Sequence, residues 1–335
     1  MRTKKKIITM TLTAMMTASL LAGCNGSETK TGGTTTIEAT TEAKQEGLTI
    51  LYPTYAKESH GESLQLETMP KNIICLSNTA LEVLADLDIR PIAITSTVTG
   101  NYPDWVSELP TIETGMSKLD TESVISMSPD LVIMGDHLQE DYGKVLDDAG
   151  IPVYYTSEGH GIAYEETKEQ SLVLAESFGG AEERSKLEAE FQEVEERAKE
   201  YKESHDTKKA MILFTPTYQS TSESYLGSML AMMGFENISD SLIEPSMQTA
   251  PLDMEQFMEQ DPDIIFALYP GVPTAEMTQT TFEEEFKKNP QVWNNVSAIK
   301  DEKIIYLSGA YATAKGASAI DHMNDLMDLL EEKFD

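Results

Sequence analysis

Two glutamates and a scatter of histidines and tyrosines carry the chemistry this sequence can offer. Glu122 and Glu255, 133 positions apart, each stand seven residues before a Pro-Asp, in Glu122-Ser-Val-Ile-Ser-Met-Ser-Pro129-Asp130-Leu-Val-Ile and Glu255-Gln-Phe-Met-Glu-Gln-Asp-Pro262-Asp263-Ile-Ile-Phe. In each copy the spacing predicts a short amphipathic helix with the glutamate in its first turn, a break at Pro-Asp, and a buried parallel strand. One such glutamate would only complement the helix dipole; recurrence at matched places calls for a further role. His137, His160, Tyr218, Tyr269 and Tyr311 stand just beyond apolar runs, and imidazole and phenolate are donors that can hold a metal ion. Tyrosine rings stack equally well on a flat ligand. Catalytic patterns are missing: there is no phosphate-cradling glycine loop, no Cys-x-x-Cys, no nucleophile elbow and no His-Glu-x-x-His. A Ser-x-x-Lys beginning at Ser224 fails because Gly227 holds its fourth place, and the five histidines form no cluster of the zinc type. The chain reads as a binder, not an enzyme.

The elements that must position these residues alternate. In the first half, strands are expected at 72–77, 91–95, 131–134 and 151–155, with helical spacing at 79–87 and 141–149 between them. In the second half, strands at 210–214, 264–268 and 303–308 are interleaved with helices at 225–233 and about 317–332. Such alternation predicts two α/β lobes with parallel, doubly wound sheets. Between them, 164–178 is stopped by Gly179-Gly180. A charged helix then places Leu187, Phe191, Val194 and Ala198 at steps of four, three and four, a narrow packed stripe. The expected boundaries are 66–180 for the first lobe, 181–206 for the linking helix and 207–335 for the second lobe. Ligands of open parallel sheets sit outside the carboxyl ends of the strands. That rule selects the loops at 77–78, 95–97, 136–137, 158–161, 215–218, 269–272 and 308–311, and with them Asn78.

Arg2, Lys4, Lys5 and Lys6 precede an apolar run from Ile7 to Ala22, the pattern of a secretory signal. It ends in Leu21-Ala22-Gly23-Cys24, which resembles the lipobox of bacterial lipoproteins. The resemblance implies removal of residues 1–23 and a diacylglyceryl group on Cys24, and two acyl chains anchor stably where one does not. Residues 24–65 are expected to be a flexible tether, since their first half is rich in Thr, Gly, Ser and Glu. Cys75, the other cysteine, falls inside a strand pattern and is expected to be a buried thiol. A net charge of −32 excludes nucleic acid and anionic lipid as natural partners. Of four arginines, Arg2 leaves with the signal, Arg184 and Arg197 lie on the charged helix, and only Arg90 falls near a strand and loop. Few guanidinium forks are left to grip an anionic ligand.

Taken together, these residues resemble the helical-backbone (class III) substrate-binding lipoproteins of ABC transporters for iron-siderophores, heme and cobalamin, over about 67–330. The resemblance implies two Rossmann-like lobes joined by one long helix, a periplasmic-binding-protein-like fold without a permanent cofactor. It further implies that Glu122 and Glu255 dock on arginines of the two permease subunits, which work with an ATPase. Within the class, heme-receptor lipoproteins of Gram-positive iron-regulated surface systems are the most similar. Leu109-Pro-Thr-Ile-Glu-Thr-Gly-Met116 resembles the segment holding their axial methionine, and Ser224-Tyr225-Leu-Gly-Ser228 resembles their Ser-Tyr-Ile-Gly-Asp. The second-lobe pattern of that family is followed by Tyr269-Pro-Gly-Val-Pro273, Phe282-Glu-Glu-Glu-Phe286 and Val292-Trp-Asn-Asn-Val296, but Pro270 stands where the family has its axial histidine. Met116 is then the candidate axial ligand, with Tyr269 or His137 as the second, and Tyr218, Tyr225, Tyr311, Asn78 and His160 as further ligand contacts. The chain is expected to act as a monomer at the outer face of the cell membrane. A hydroxamate siderophore or a corrinoid is the alternative ligand, and a surface enzyme or adhesion module on the same scaffold is the alternative class. His60, His205 and His322 are expected to be exposed.

Overall fold

The computed structural model of the protein describes residues 47–98, 102–115, 118–157, 162–244, 247–313 and 316–334. Cys24 and the expected signal segment, Met116 and His160 lie outside the described residues. No described helix is long and apolar enough to cross a membrane.

Part of the expected tether, from residue 47 to 65, carries regular structure. Strand β1 (Leu48–Leu51), a short helix α1 (Lys57–His60) and β2 (Ser63–Leu66) form an antiparallel hairpin, with Leu48, Ile50 and Tyr52 buried. The hairpin is fixed from both sides: Leu51 N–H donates to Ser177 Oγ at 3.1 Å, and Tyr154 Oη donates to the Leu51 carbonyl at 2.9 Å. The alternation Leu48-Thr-Ile50 is the period-two signal of a half-buried strand, and burial against residues more than a hundred positions away makes it fold.

The first lobe follows as β3 (Ile73–Cys75), α2 (Asn78–Asp86), β4 (Ala93–Thr95), β5 (Thr111–Ile112), a small hairpin of β6 (Thr114–Gly115) with β7 (Lys118–Leu119), α3 (Thr121–Ser126), β8 (Leu131–Gly135), α4 (Lys144–Asp148) and β9 (Val153–Thr156). Its sheet has the order β5-β4-β3-β8-β9 and every pairing in it is parallel. Such a sheet is covered on both faces, and accordingly β3, β4 and β8 are buried throughout, with the thiol of Cys75 inside.

Helix α5 (Tyr164–Ser204) is interrupted at Gly180, whose φ of 81° is left-handed, so the expected stop is a kink between two helical segments. Leu187, Phe191, Val194 and Ala198 are all buried, as their spacing required.

The second lobe comprises β10 (Lys209–Thr215), β11 (Tyr218–Ser220), α6 (Tyr225–Met232), β12 (Glu236–Asn237), β13 (Thr249–Pro251), α7 (Met254–Gln260), β14 (Ile264–Ala267), α8 (Ala275–Lys288), α9 (Pro290–Trp293), α10 (Ser297–Lys300), β15 (Ile304–Tyr306) and α11 (Ser318–Phe334). Strands β10, β14 and β15 are parallel as expected, but the sheet continues through β11 and β13, both in antiparallel pairings. Only Pro216-Thr217 separate β10 from β11, and a parallel return needs a dozen residues or more, so this connection can only be a hairpin.

One apolar cluster runs through both lobes: Ile73, Leu81 and Ile133 of the first, Phe191 and Val194 of α5, and Tyr225, Phe266 and Met323 of the second belong to it. Polar links cross at the same level. Tyr164 N–H donates to Ser228 Oγ at 2.9 Å, and Ser318 N–H, in the first turn of α11, donates to the carboxylate of Glu82 on α2 at 2.9 Å. Glu82 is only 8 % exposed, so it joins the lobes as a buried, charge-assisted contact.

Candidate functional site

The two glutamate elements match down to backbone angles. Asp120 caps α3 by accepting from Ser123 N–H and Oγ, and these bonds hold its carboxyl below the usual range; Asp253 caps α7 by accepting from Glu255 and Gln256 N–H at 2.9 and 3.0 Å. Each helix ends at a residue with positive φ just before the proline, Ser128 at 47° and Asp261 at 40°. The aspartate after each proline then secures a neighbouring strand. Asp130 Oδ2 accepts from Lys71 and Asn72 N–H at 2.8 and 2.9 Å at the entry to β3, and Asp263 Oδ2 accepts from Lys209 N–H at 2.8 Å at the entry to β10. Pro-Asp is therefore a stop and a splice, and the glutamates are left with no structural task. Both are exposed, and neither makes an ion pair among the described residues. As first-turn residues of helices that lead back into the sheet, they lie on the side of the strand carboxyl ends.

At those ends the first lobe gathers small polar groups. Ser77 caps α2 by accepting from Ala80 N–H, Asn78 Nδ2 donates to the Thr97 carbonyl at 3.3 Å, and Tyr102 Oη donates to the Asn78 carbonyl at 3.3 Å. Thr95 Oγ1 lies 3.0 Å from Thr97 Oγ1 and also bonds Thr114 Oγ1. After β8, Ser157 Oγ donates to Asp136 Oδ2 at 3.1 Å while His137 is exposed. In the second lobe Tyr218 is 44 % exposed at the first position of β11, beside the carboxyl end of β10, and Tyr269 is half-buried directly beyond β14. The loop that carries Tyr269 is held by close backbone approach. Gly309 N–H donates to the Val272 carbonyl at 2.7 Å, and a Cβ at Gly309 would come within 2.5 Å of the Tyr269 carbonyl.

Two predicted contacts lie elsewhere. Tyr225 is fully buried, its hydroxyl 3.0 Å from His322 Nδ1, and burial raises its pKa well above the ordinary value, with Glu82 adding to the shift. Tyr311 is 7 % exposed, stacks on His322 at 4.5 Å, donates to the His322 carbonyl at 3.3 Å and is likewise raised by burial. Both rings fill the junction between α6, α11 and the loop after β15, and offer no face to a ligand in this arrangement. The segment from Ser224 to Ser228 has a structural task as well: Ser224 Oγ accepts from Gly227 N–H, and Ser228 holds the start of α5. Tyr218, Tyr269, Asn78 and His137 remain at strand ends.

Histidines expected to be exposed are also engaged. His205 stacks on Tyr201 at 4.0 Å, and His60 stacks between Tyr52 at 5.1 Å and Tyr155 at 5.2 Å. Burial lowers the His60 pKa, opposed by Asp136; burial pushes Tyr52 up to about 12. This column and Tyr102 were not among the sequence candidates; the only signal for it was the apolar spacing of 48–52. Beside it, an open groove of about 510 Å³ is lined by Thr54, Tyr55 and the first turns of α5, but Glu169 and Glu166 there already accept from Thr54 and Ala163 N–H. Among the described residues no three His, Cys, Asp or Glu side chains converge to hold a metal ion. The arginines of the described residues are engaged away from the carboxyl strand ends: Arg90, just before β4, lies over Trp105, Arg184 pairs with Glu176, and Arg197 reaches Asn324 and Asp328 on α11.

Two α/β lobes on one helical spine, with polar and aromatic loops at the strand ends, define a two-lobed solute-binding protein. The chain belongs to the periplasmic binding protein family, which matches residues 73–311. That family is one of binding proteins, not enzymes. Among solved structures the fold is similar to the heme complex of IsdE from Staphylococcus aureus, at 20 % identity and a TM-score of 0.63, covering 77 % of this chain and 98 % of that one. It is also similar to an Fe3+-hydroxamate transport protein from Saccharomonospora viridis (17 % identity, TM-score 0.62, covering 80 % and 96 %). A third is the vitamin B12 binding protein BtuF of Vibrio cholerae (14 % identity, TM-score 0.56, covering 79 % and 99 %). No curated protein sequence matches the chain.

Proposed function

We propose that this protein is the substrate-binding component of an ABC importer for an iron complex, tethered through lipid on Cys24 to the extracytoplasmic face of a Gram-positive membrane and acting as a monomer. The observation that carries the importer reading is the matched pair of glutamates. Two helices, capped and spliced alike, each present an exposed carboxylate with no ion pair among the described residues, which suits a permease with two equivalent halves that offer arginines. Heme is the preferred ligand. Its support is the similarity of the segment ending in Met116 to that of heme receptors, the fold shared with a heme complex, and exposed or half-buried Tyr218 and Tyr269 at the strand ends. In this reading Met116 supplies one axial ligand, Tyr269 or His137 the other, and His160 and Asn78 border the site.

Pro270 favours a second reading of the cargo. Without the family histidine, and with Arg90, Arg184 and Arg197 engaged away from the strand ends, a neutral hydroxamate siderophore or a corrinoid needs neither a histidine ligand nor an arginine fork. Titration of the apo-protein with hemin separates the two. Heme binding gives a Soret shift at micromolar protein, and the shift changes in Met116→Ala; no shift with the parent protein selects the siderophore or corrinoid.

A further inference from the structure

One turn after each glutamate stands an exposed apolar residue. Ile125 follows Glu122 by three positions and is 38 % exposed; Met258 follows Glu255 by three and is 39 % exposed. Residues three apart share one face of a helix, so each tip presents a carboxylate and an apolar side chain together. The positions between and beside them behave as a helix requires, with Val124 and Phe257 turned into the two cores. Ile125 and Met258 are thus not surplus core residues left at the surface.

We infer that Ile125 and Met258 are the apolar halves of a duplicated docking surface, each seating in an apolar recess beside the arginine that its glutamate meets on the paired membrane subunits. The inference rests on the importer reading and adds the contact that excludes water from the ion pair. Two observations commit it to that occupant. The acidic partner is present at both tips with no ion pair among the described residues, so the complementary surface is basic. The whole unit, from capping aspartate to spliced strand, occurs twice, so its partner has two equivalent halves. A ring of apolar contact around a charged pair is also where interface energy concentrates, because a desolvated pair attracts more strongly than one in water.

The test uses the mature protein with its permease and ATPase in liposomes, reading the concentration that half-stimulates ATP hydrolysis. Ile125→Ser with Met258→Ser should raise that concentration about tenfold or more, with ligand affinity and melting temperature unchanged because both side chains are exposed. Glu122→Gln with Glu255→Gln is measured alongside. If the glutamate variant weakens docking and the serine variant does not, the apolar contact is refuted while the importer reading stands. If neither shifts the half-stimulating concentration, the docking role of both tips is refuted, the apolar contact with it; no stimulation by the parent protein would overturn the importer reading itself. Ile125→Leu with Met258→Leu should retain docking, and a loss there equal to that of serine would also refute the apolar contact.

Discussion

The two lobes share one element and differ in nearly everything around it. In both, a capped helix carries an exposed glutamate, turns through a positive φ, and passes Pro-Asp into a buried strand paired with the central strand of its sheet. Around that shared element the first lobe is a pure parallel sheet, whose carboxyl ends carry the threonines and Asn78; the second has an antiparallel flank that brings Tyr218 to the surface. In the proposed reading, docking belongs to the repeated part and ligand recognition to the part in which the lobes differ.

Charge reversal breaks this comparison most directly. Glu122→Lys with Glu255→Lys should abolish uptake while leaving ligand affinity unchanged, and each single reversal should weaken it to a similar degree. Cells that still transport with both reversed would disprove the docking role. The junction between the lobes comes next. Glu82→Ala leaves Ser318 N–H without its buried acceptor, at a cost of about 2–3 kcal/mol in chemical denaturation. Retained stability would show that this carboxylate does not hold the lobes together. A continuous core and this carboxylate both oppose wide hinge motion, so small-angle scattering should show only a small change on ligand binding.

The splices sharpen the comparison. Asp130 accepts two backbone bonds and Asp263 one, so Asp130→Ala should cost about 2 kcal/mol and Asp263→Ala about 1 kcal/mol. Equal losses would mean that the prolines, not the carboxylates, hold the strands. The smallest effect belongs to His60. Burial disfavours its charged form, so its folded pKa lies below the unfolded value; the unfolded chain binds the proton first, and stability falls as pH drops from about 7.5 through about 6.5 toward the lowered folded value. His60→Gln should flatten the fall in melting temperature over that window, and an unchanged slope would assign it to other groups.

Much of this was legible because it is local. The stripe from Leu187 to Ala198 needs only the helical period, and the buried strand after each Pro-Asp needs only a run of branched residues. The hairpin at 48–66 was less visible. Its strands are four residues each, it follows a long polar segment, and its partners are Tyr154 and Ser177, too distant for any local pattern to supply. Tyr225 and Tyr311 show the same limit at the site. A tyrosine near a strand end reads alike whether its ring faces solvent or a packed neighbour, and here His322, from the last helix, draws both inward.

By itself the sequence determined the alternation of strands and helices, the duplicated glutamate element and the helical spine, because each is written in the spacing of neighbouring residues. Only the tertiary structure decided which tyrosines stay at the strand ends, that 48–66 pack as a hairpin, and that Glu82 closes onto α11. Those outcomes depend on pairs of groups far apart in the chain, whose burial is settled only when both sheets are packed on the same spine.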